Sequence, residues 1–266
     1  MAVVTLTTGW VDDYHVAVLK GVLVSALHDV QIVDLSHQTP VLHSGIDYAA
    51  YMIKHCYKYY PKGTVHLISV ESEYRDETPF VAALYNEQYF IGTDNGIFSL
   101  IFDSPPENMV VIKKYTDEQT PNYPAISVFA PAAVHLASGG DILDLGTVYP
   151  AMNHKSQILP ILTESSITGT IIHVNAFGNA VTNITREEFE KVGKGRPFEI
   201  MVQGMRHKIT RINKYFHETT SGEQLALFNF SGYVEVALNN GKIAEVQRLV
   251  SRESNVLVKF INKQGG

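Results

Sequence analysis

The sequence has little that marks a disulfide-stapled, membrane-spanning or nucleic-acid-binding protein. Among its 266 residues Cys56 is the single cysteine, so no disulfide can form within the chain. The formal net charge is -6, which gives no basic surface for nucleic acid. No apolar run approaches the roughly 20 residues of a membrane-spanning helix. We therefore expect a cytoplasmic protein that has neither nucleic acid nor a membrane as its partner.

Several chemical motifs are also missing. The first strand is not followed by a glycine-rich dinucleotide loop, and no phosphate-binding loop or serine nucleophile elbow occurs. The 11 histidines lack the spacing of a zinc-protease helix, and one cysteine excludes a thiolate-rich metal centre. These absences predict a protein without a metal or a bound cofactor.

The first part of the chain alternates between strand and helix patterns. Apolar stretches typical of strands are separated by segments with helical periodicity, which indicates an α/β N-terminal domain with a largely parallel sheet over residues 1–150. The predicted strands are residues 3–6, 31–35, 65–70, 80–85, 88–91 and 109–112. The predicted helices are residues 13–27, 44–59 and 129–137, the second of them capped by Ser44.

The pattern changes after residue 150. Residues 152–157 are polar and lie between Pro150 and Pro160, so residues 151–166 are predicted to be a linker. Residues 167–266 are dominated by strand patterns, which predicts a small C-terminal antiparallel β-barrel domain. Its predicted strands are residues 167–174, 198–202, 205–212, 225–228, 233–237 and 256–261, with short helices at 186–192 and 242–249.

Seven short segments in chain order resemble one known family. They are 6–10 (LTTGW), 16–21 (VAVLKG), 32–37 (IVDLSH), 60–66 (YPKGTVH), 91–97 (IGTDNGI), 129–137 (FAPAAVHLA) and 177–184 (FGNAVTNI). Together they resemble the S-adenosyl-L-methionine hydroxide adenosyltransferases, which form one superfamily with the nucleoside fluorinases and chlorinases. The resemblance implies an α/β domain, a β-barrel domain and a homotrimer whose sites lie between neighbouring subunits. It also implies attack of water or hydroxide on the ribose C5′ of S-adenosylmethionine, giving adenosine and methionine without a metal.

The resemblance assigns binding roles to several residues. Phe177 matches the position that stacks on adenine, although a buried phenylalanine at a strand end is an equal alternative. Asn179 matches an adenine contact and alternatively forms a turn after Gly178. Asp13 matches a carboxylate near the methionine ammonium and alternatively caps a helix. The remaining matched positions are a pocket wall at Asn95, a methionine-carboxylate contact at Ser231 and an adenine-side loop at Asn239.

The sequence departs from the family at the charged positions. Gly9 and Trp10 lie in the matched segment 6–10 and are predicted to contact the substrate. Gly9 stands where the family has an aspartate that binds both ribose hydroxyls. The Asp–Arg–His set that handles the water falls on Glu71, Thr78 and Pro124, with Arg75 close in sequence. Asn175 replaces an aspartate beside the methionine ammonium.

These departures leave more than one function open. Glu71 can position or deprotonate a water, which favours a hydrolase that converts S-adenosylmethionine to adenosine and methionine. The altered positions equally fit a catalytically impaired protein that binds S-adenosylmethionine or adenosine in the retained pocket. A third alternative is an enzyme that accepts a modified sugar.

Overall fold

The computed structural model describes residues 1–11, 14–37, 45–113, 115, 122–203 and 208–261. The chain forms two compact units, residues 1–156 and residues 157–266. No helix among the described residues has the length and apolarity to cross a bilayer. The predicted fold class is confirmed: an α/β unit with parallel strands precedes a unit built on a curled antiparallel sheet.

The first unit contains a seven-stranded mixed sheet. Its order is β2-β1-β3-β5-β4-β6-β7, in which the first four strands run parallel and the last three pair antiparallel. Every residue of β3 is buried, because helices cover both faces of the sheet at this strand. The strands are β1 (Ala2–Thr8), β2 (Val30–Ser36), β3 (Val65–Ser69), β4 (Phe80–Tyr85), β5 (Gln88–Thr93), β6 (Asn108–Ile112) and β7 (Gly146–Val148).

Four helices divide the core of this unit into two layers. α1 (Tyr14–Ala26) and α4 (Ala130–Ala137) pack on one face, where Leu19, Leu23 and Phe129 are buried. α2 (Gly45–Cys56) and α3 (Ile97–Ile101) pack on the other face around Ile53 and Phe98. The loops that follow β1, β2, β3 and β5 therefore emerge together at the carboxyl edge of the parallel strands, where α/β proteins bind ligands.

The second unit is a curled antiparallel sheet with the order β11-β14-β9-β10-β13-β12. β9 alternates buried and half-buried residues along its whole length, as a strand with one face toward a core requires. Residues 208–213 join the two edge strands, because Ile209 bridges to Ile200 and Ile212 bridges to Ala226. The elements are β8 (Ile161–Leu162), β9 (Ser166–Val174), β10 (Ala180–Thr185), β11 (Phe198–Val202), β12 (Gln224–Phe228), β13 (Tyr233–Leu238), β14 (Asn255–Phe260), α5 (Arg186–Gly193) and α6 (Ile243–Gln247).

Several element predictions need correction. The predicted strand 205–212 is wrong in its described part, since residues 208–212 make only single bridges. The second helix ends at Cys56 and continues as a 3-10 turn, and its predicted cap, Ser44, lies outside the described residues. A π-helical turn over Ala125–Phe129 precedes α4. The sequence patterns missed α3, β7 and β10, which are short, and β8, which lies within the predicted linker and pairs with β9.

Candidate functional site

The candidate site in the first unit lies at the carboxyl edge of the parallel strands. The Gly9 backbone N–H donates to the Ser69 carbonyl at 3.0 Å, which joins the loop after β1 to the end of β3. The Asn95 side-chain NH₂ donates to the carbonyls of Val70 at 2.9 Å and Glu71 at 3.2 Å. Gly9, Glu71 and Asn95 therefore belong to one continuous rim, and the amide of Asn95 is engaged in holding that rim.

Glu71 occupies a strained position on this rim. Its φ of 48° lies in the left-handed region, which a residue with a side chain rarely adopts without a structural or functional reason. Its exposed side chain lines a cavity of about 310 Å³. The other lining residues are Glu73, Arg75, Thr78 and Asn95.

Arg75 and Thr78 lie in this same cavity, so the arginine close in sequence is also close to Glu71 in the fold. The Arg75 guanidinium pairs with the carboxylate of Glu73 at 3.2 Å, and both side chains are exposed. Exposed pairs of this kind contribute little to stability, so the arginine can change partner at low cost.

Asp94, next to Asn95, has a structural role in this unit. Its buried carboxylate accepts a 2.8 Å bond from the backbone N–H of Asn153, whose side-chain NH₂ donates to the carbonyls of Asp94 and Glu77. Burial raises the pKa of Asp94, while hydrogen bonds from Asn153 and Tyr149 act in the opposite direction. Residues of the predicted linker are thus tied to the end of β5.

A polar network that sequence reasoning missed joins β1, β2 and α1. His37 Nδ1 lies 2.9 Å from Thr8 Oγ1, and His37 Nε2 lies 3.0 Å from Asp34 Oδ1. Lys20 Nζ donates to the other Asp34 oxygen at 2.5 Å. Burial raises the pKa of Asp34, but the hydrogen bonds from Lys20 and His37 outweigh it and leave the pKa below its ordinary value. The network holds the ends of β1 and β2 together at the rim, where the matched segment 32–37 ends.

Aromatic rings cover the rim beside Gly9. The Trp10 ring lies 5.4 Å from the ring of His15, which stacks on Tyr14 at 4.1 Å and on Tyr123 at 4.6 Å. Tyr123 directly precedes Pro124, the position at which the family histidine is expected. The predicted ligand residue Asp13 lies outside the described residues.

In the second unit, residues 175–179 form a tight turn between β9 and β10. Asn175 Oδ1 accepts from the backbone N–H groups of Phe177 at 3.0 Å and Asn179 at 3.1 Å. Gly178 has a φ of +75°, and a Cβ there would lie 2.5 Å from the Cβ of Lys242, so only glycine fits. The turn presents Phe177 with 76% of its surface exposed, which excludes the buried-phenylalanine alternative in this unit.

Glu235 was missed by sequence reasoning, although an acid within the apolar run of β13 was a signal. Its Oε1 accepts from Asn179 Nδ2 at 2.8 Å and from Asn175 Nδ2 at 3.2 Å. Register places it there, because Val181 of β10 pairs with Glu235. Asn179 is 95% buried by this arrangement (5% exposed), so its described contacts are those of a residue that holds the turn.

Ser231 and Asn239 lie near opposite ends of β13. Ala180 pairs with Val236 and Thr185 pairs with Tyr233, so Asn239 is near the 175–179 turn and Ser231 is at the far end of β10. The six residues of β10 span roughly 17–20 Å. The Asn239 amide donates to the Thr219 carbonyl at 2.6 Å, and the Ser231 N–H donates to Asn229 Oδ1 at 3.0 Å. The second unit therefore has two separate groups of candidate ligand-binding residues, one with Asn239 near the 175–179 turn and one with Ser231 at the far end of β10.

Comparison with known protein families shows which family the chain belongs to. Residues 4–146 match the SAM hydroxide adenosyltransferase N-terminal domain, and residues 169–254 match the SAM hydroxide adenosyltransferase C-terminal domain. The chain belongs to the SAM hydroxide adenosyltransferase family. The predicted resemblance is thereby confirmed.

Relatives named as hydrolases match this SAM hydroxide adenosyltransferase family member over most of its length. An (R)-S-adenosyl-L-methionine hydrolase from Thermus thermophilus is 29% identical over 248 residues, which cover 88% of this chain and 90% of the relative. A hydrolase of the same name from Methanocaldococcus jannaschii is 24% identical over 249 residues, covering 88% of each chain.

Two solved structures share the fold of this SAM hydroxide adenosyltransferase family member. An uncharacterized conserved protein from Thermotoga maritima superposes with a TM-score of 0.86 at 20% identity, covering 97% of this chain and 100% of that chain. A conserved hypothetical protein from Thermus thermophilus superposes with a TM-score of 0.74 at 28% identity, covering 98% and 99%.

No group of three or more histidine, cysteine or acidic side chains with metal-site geometry occurs in the part of the chain that the structure describes. The carboxylates of the two units instead act in hydrogen bonds and ion pairs, as Asp34, Asp94 and Glu235 do.

Proposed function

We propose that this protein hydrolyses S-adenosylmethionine to adenosine and L-methionine. A water molecule attacks the ribose C5′, the C5′–sulfur bond breaks, and its electron pair leaves with the sulfur of methionine. The proton of the water passes to a base or to solvent. Because the sulfonium is already a good leaving group, the protein has only to align the water, C5′ and sulfur and to limit competing solvent.

The exposed ring of Phe177 carries the proposal. An apolar ring with three quarters of its surface in water costs hydrophobic free energy, yet the turn beneath it is fixed by Asn175, Gly178 and Glu235. A rigid, exposed aromatic face suits stacking on a flat heterocycle such as adenine. The hydrolase names of the two relatives fit the same class of ligand.

Glu71 is the proposed base. Of the two acids that line the 310 Å³ cavity, Glu71 has a left-handed backbone conformation. The side-chain NH₂ of Asn95 donates to the Glu71 carbonyl. A carboxylate at this place can accept a hydrogen bond from the attacking water and orient one oxygen lone pair toward C5′. Arg75 lines the same cavity and is available to pair with Glu71 or with the methionine carboxylate after leaving Glu73.

We assign the complete site to neighbouring copies of a homotrimer, with the rim from one subunit and the 175–179 turn from the next. Mixing variants tests this assembly. Glu71→Ala and Phe177→Asp subunits, unfolded and refolded together in equal amounts, should regain about a quarter of the wild-type sites, since each intact site needs one unaltered rim and one unaltered turn. Sites formed within single chains would regain no activity.

The deciding experiment for the reaction is incubation of the purified protein with S-adenosylmethionine, followed by chromatography of the products. Adenosine and methionine should appear in equal amounts, and Glu71→Ala should form neither. Absence of adenosine above a heat-inactivated control would remove the hydrolase proposal.

One observation favours a second candidate, a protein that binds S-adenosylmethionine or adenosine without hydrolysis. Thr78 lines the cavity where the family has an arginine, and the nearby Arg75 is paired with Glu73. Calorimetric titration separates the two functions: saturable binding of adenosine together with an unchanged pool of S-adenosylmethionine would establish the second.

A further inference from the structure

Thr78 is a half-buried residue in the wall of the cavity that Glu71 lines. It ends a tight turn, in which its backbone N–H donates to the Arg75 carbonyl at 3.0 Å. Thr78 and Arg75 also form an antiparallel bridge, so their side chains lie on the same side of the turn. Both of them line the cavity. The turn therefore places the Thr78 side chain in the same cavity as Glu71.

Glu71 and Thr78 are held in place by two consecutive residues at the end of β5. The Asp94 backbone N–H donates at 2.9 Å to the carbonyl of Pro79, which directly follows Thr78. The Asn95 side-chain NH₂ donates to the Glu71 carbonyl at 3.2 Å. The backbone at both residues is thus tied to one short segment, and the β-branched threonine has few rotamers. The fold therefore sets the separation between Glu71 and Thr78.

The other polar groups that line the cavity already have protein partners. The Asn95 NH₂ donates to two carbonyls, and its Oδ1 accepts from the first backbone N–H of α3 at 3.3 Å. Arg75 is paired with Glu73. The Glu71 carboxylate and the Thr78 hydroxyl have no hydrogen bond or ion pair with any residue that the structure describes. These two groups can bind a small molecule in the cavity without breaking a protein contact.

The proposed reaction sets a requirement on the attacking water. Its oxygen must direct a lone pair at C5′, so both of its hydrogens must point away from C5′ and toward acceptors. A carboxylate accepts one of these hydrogen bonds. A threonine hydroxyl can accept the other, because it has acceptor lone pairs, whereas an arginine has only donors. Two such bonds orient the water and replace the solvent molecules around it.

We infer that Thr78 is a second catalytic residue of the proposed hydrolysis, whose hydroxyl accepts one hydrogen bond from the attacking water while Glu71 accepts the other. This inference rests on the proposed function. The oxygen–C5′ bond forms, the C5′–sulfur bond breaks with its electron pair going to sulfur, and the proton of the water passes to Glu71. Thr78 neither gains nor loses a proton. Threonine at the position of the family arginine thereby binds a neutral water as an acceptor.

Steady-state kinetics test this role. Thr78→Val keeps the branched shape and removes the hydroxyl, so kcat for S-adenosylmethionine should fall about tenfold, as one lost hydrogen bond predicts, with KM within twofold. Thr78→Ser keeps the hydroxyl and should retain at least half of the wild-type kcat. Thr147→Val is the matched control and should retain the wild-type kcat, because Thr147 is exposed on β7 at the far edge of the sheet.

A binding measurement tests the same contact without turnover. The 5′-hydroxyl oxygen of adenosine is the oxygen that the water delivers, so in the product complex it lies between Glu71 and Thr78. Calorimetry should show that Thr78→Val weakens adenosine binding about fivefold and changes 5′-deoxyadenosine binding less than twofold.

The outcomes separate this inference from the proposed function. Adenosine formation by the wild type with an unchanged kcat in Thr78→Val, an equal fall in Thr78→Ser, or equal weakening of the two nucleosides would overturn the role of Thr78 alone. A wild-type protein that binds adenosine but forms none from S-adenosylmethionine would overturn the proposed hydrolysis and this inference with it. If Thr78→Val does not fold, Thr78→Ala decides by the same two measurements.

Discussion

Asn179 Nδ2 donates a 2.8 Å hydrogen bond to Glu235 Oε1, joining two residues that are 56 positions apart. The same oxygen accepts from Asn175 Nδ2 at 3.2 Å. One buried carboxylate thus holds both asparagines of the turn that presents Phe177. The exposed ring owes its position to an acid on a neighbouring strand that does not need to touch a ligand.

Removing that acid should weaken both the turn and the binding of nucleosides. Glu235→Ala leaves two amide groups without their acceptor, which should lower the free energy of unfolding by about 1–3 kcal/mol in urea titrations. Glu235→Gln keeps an acceptor oxygen and should lose less. If Glu235→Ala has the stability and the adenosine affinity of the wild type, the turn does not depend on Glu235.

Glu71→Ala should abolish hydrolysis of S-adenosylmethionine and leave the fold intact. The side chain is exposed and its removal creates no cavity, so the free energy of unfolding should change by less than about 0.5 kcal/mol. Product chromatography and thermal unfolding check the two expectations. Glu73→Ala, which removes another acid of the same cavity, is the control that should retain turnover. Unchanged turnover in Glu71→Ala would refute the role of this base.

Phe177→Ala should weaken nucleoside binding by about 1–2 kcal/mol, the value expected from lost stacking and lost apolar contact area. Stability should hardly change, because the ring is exposed in the described unit. Calorimetric titration with adenosine measures the effect. Tyr59→Ala is the control variant. It removes a ring with 62% of its surface exposed, in a segment that precedes β3 at the amino edge of the parallel strands. A similar loss of affinity in both variants would argue against stacking on Phe177.

His66 is a buried, neutral histidine on β3. Its Nδ1 lies 2.7 Å from Thr5 Oγ1, and its Nε2 lies 2.7 Å from Gln88 Oε1. The Gln88 NH₂ donates to the carbonyls of Tyr57 and Tyr60, so its oxygen faces the ring and His66 Nε2 carries the proton. Burial lowers the pKa of His66 to about 4.

This lowered pKa predicts a loss of stability in acid. The unfolded chain binds the proton near pH 6.5 and the folded protein only near pH 4, so the free energy of unfolding falls as the pH drops between these values, by up to about 3 kcal/mol for this group. Urea denaturation of the wild type and of His66→Gln should show a shallower pH dependence in the variant. His55 and His173 also have pKa values lowered by burial to about 4 and remain in both proteins. Parallel curves would contradict the assignment to His66.

The sequence by itself determined the fold class and the family. Apolar strand patterns and the order of the matched segments are local properties, and they follow from the chain without knowledge of its contacts. The sequence patterns did not predict α3 or β10: α3 has only five residues, little more than one helical turn, and most of β10 lies in residues 177–184, which were interpreted as a ligand-binding segment.

Only the tertiary structure decided which residues act together. The hydrogen bonds of Glu235 to two asparagines, the bond of Gly9 to Ser69 and the stacking of Tyr123 on His15 all join residues from separate elements. Such pairs form because sheet register and helix packing bring distant side chains within a few ångströms. A single sequence specifies that register only through the whole fold, so its local patterns do not reveal these contacts.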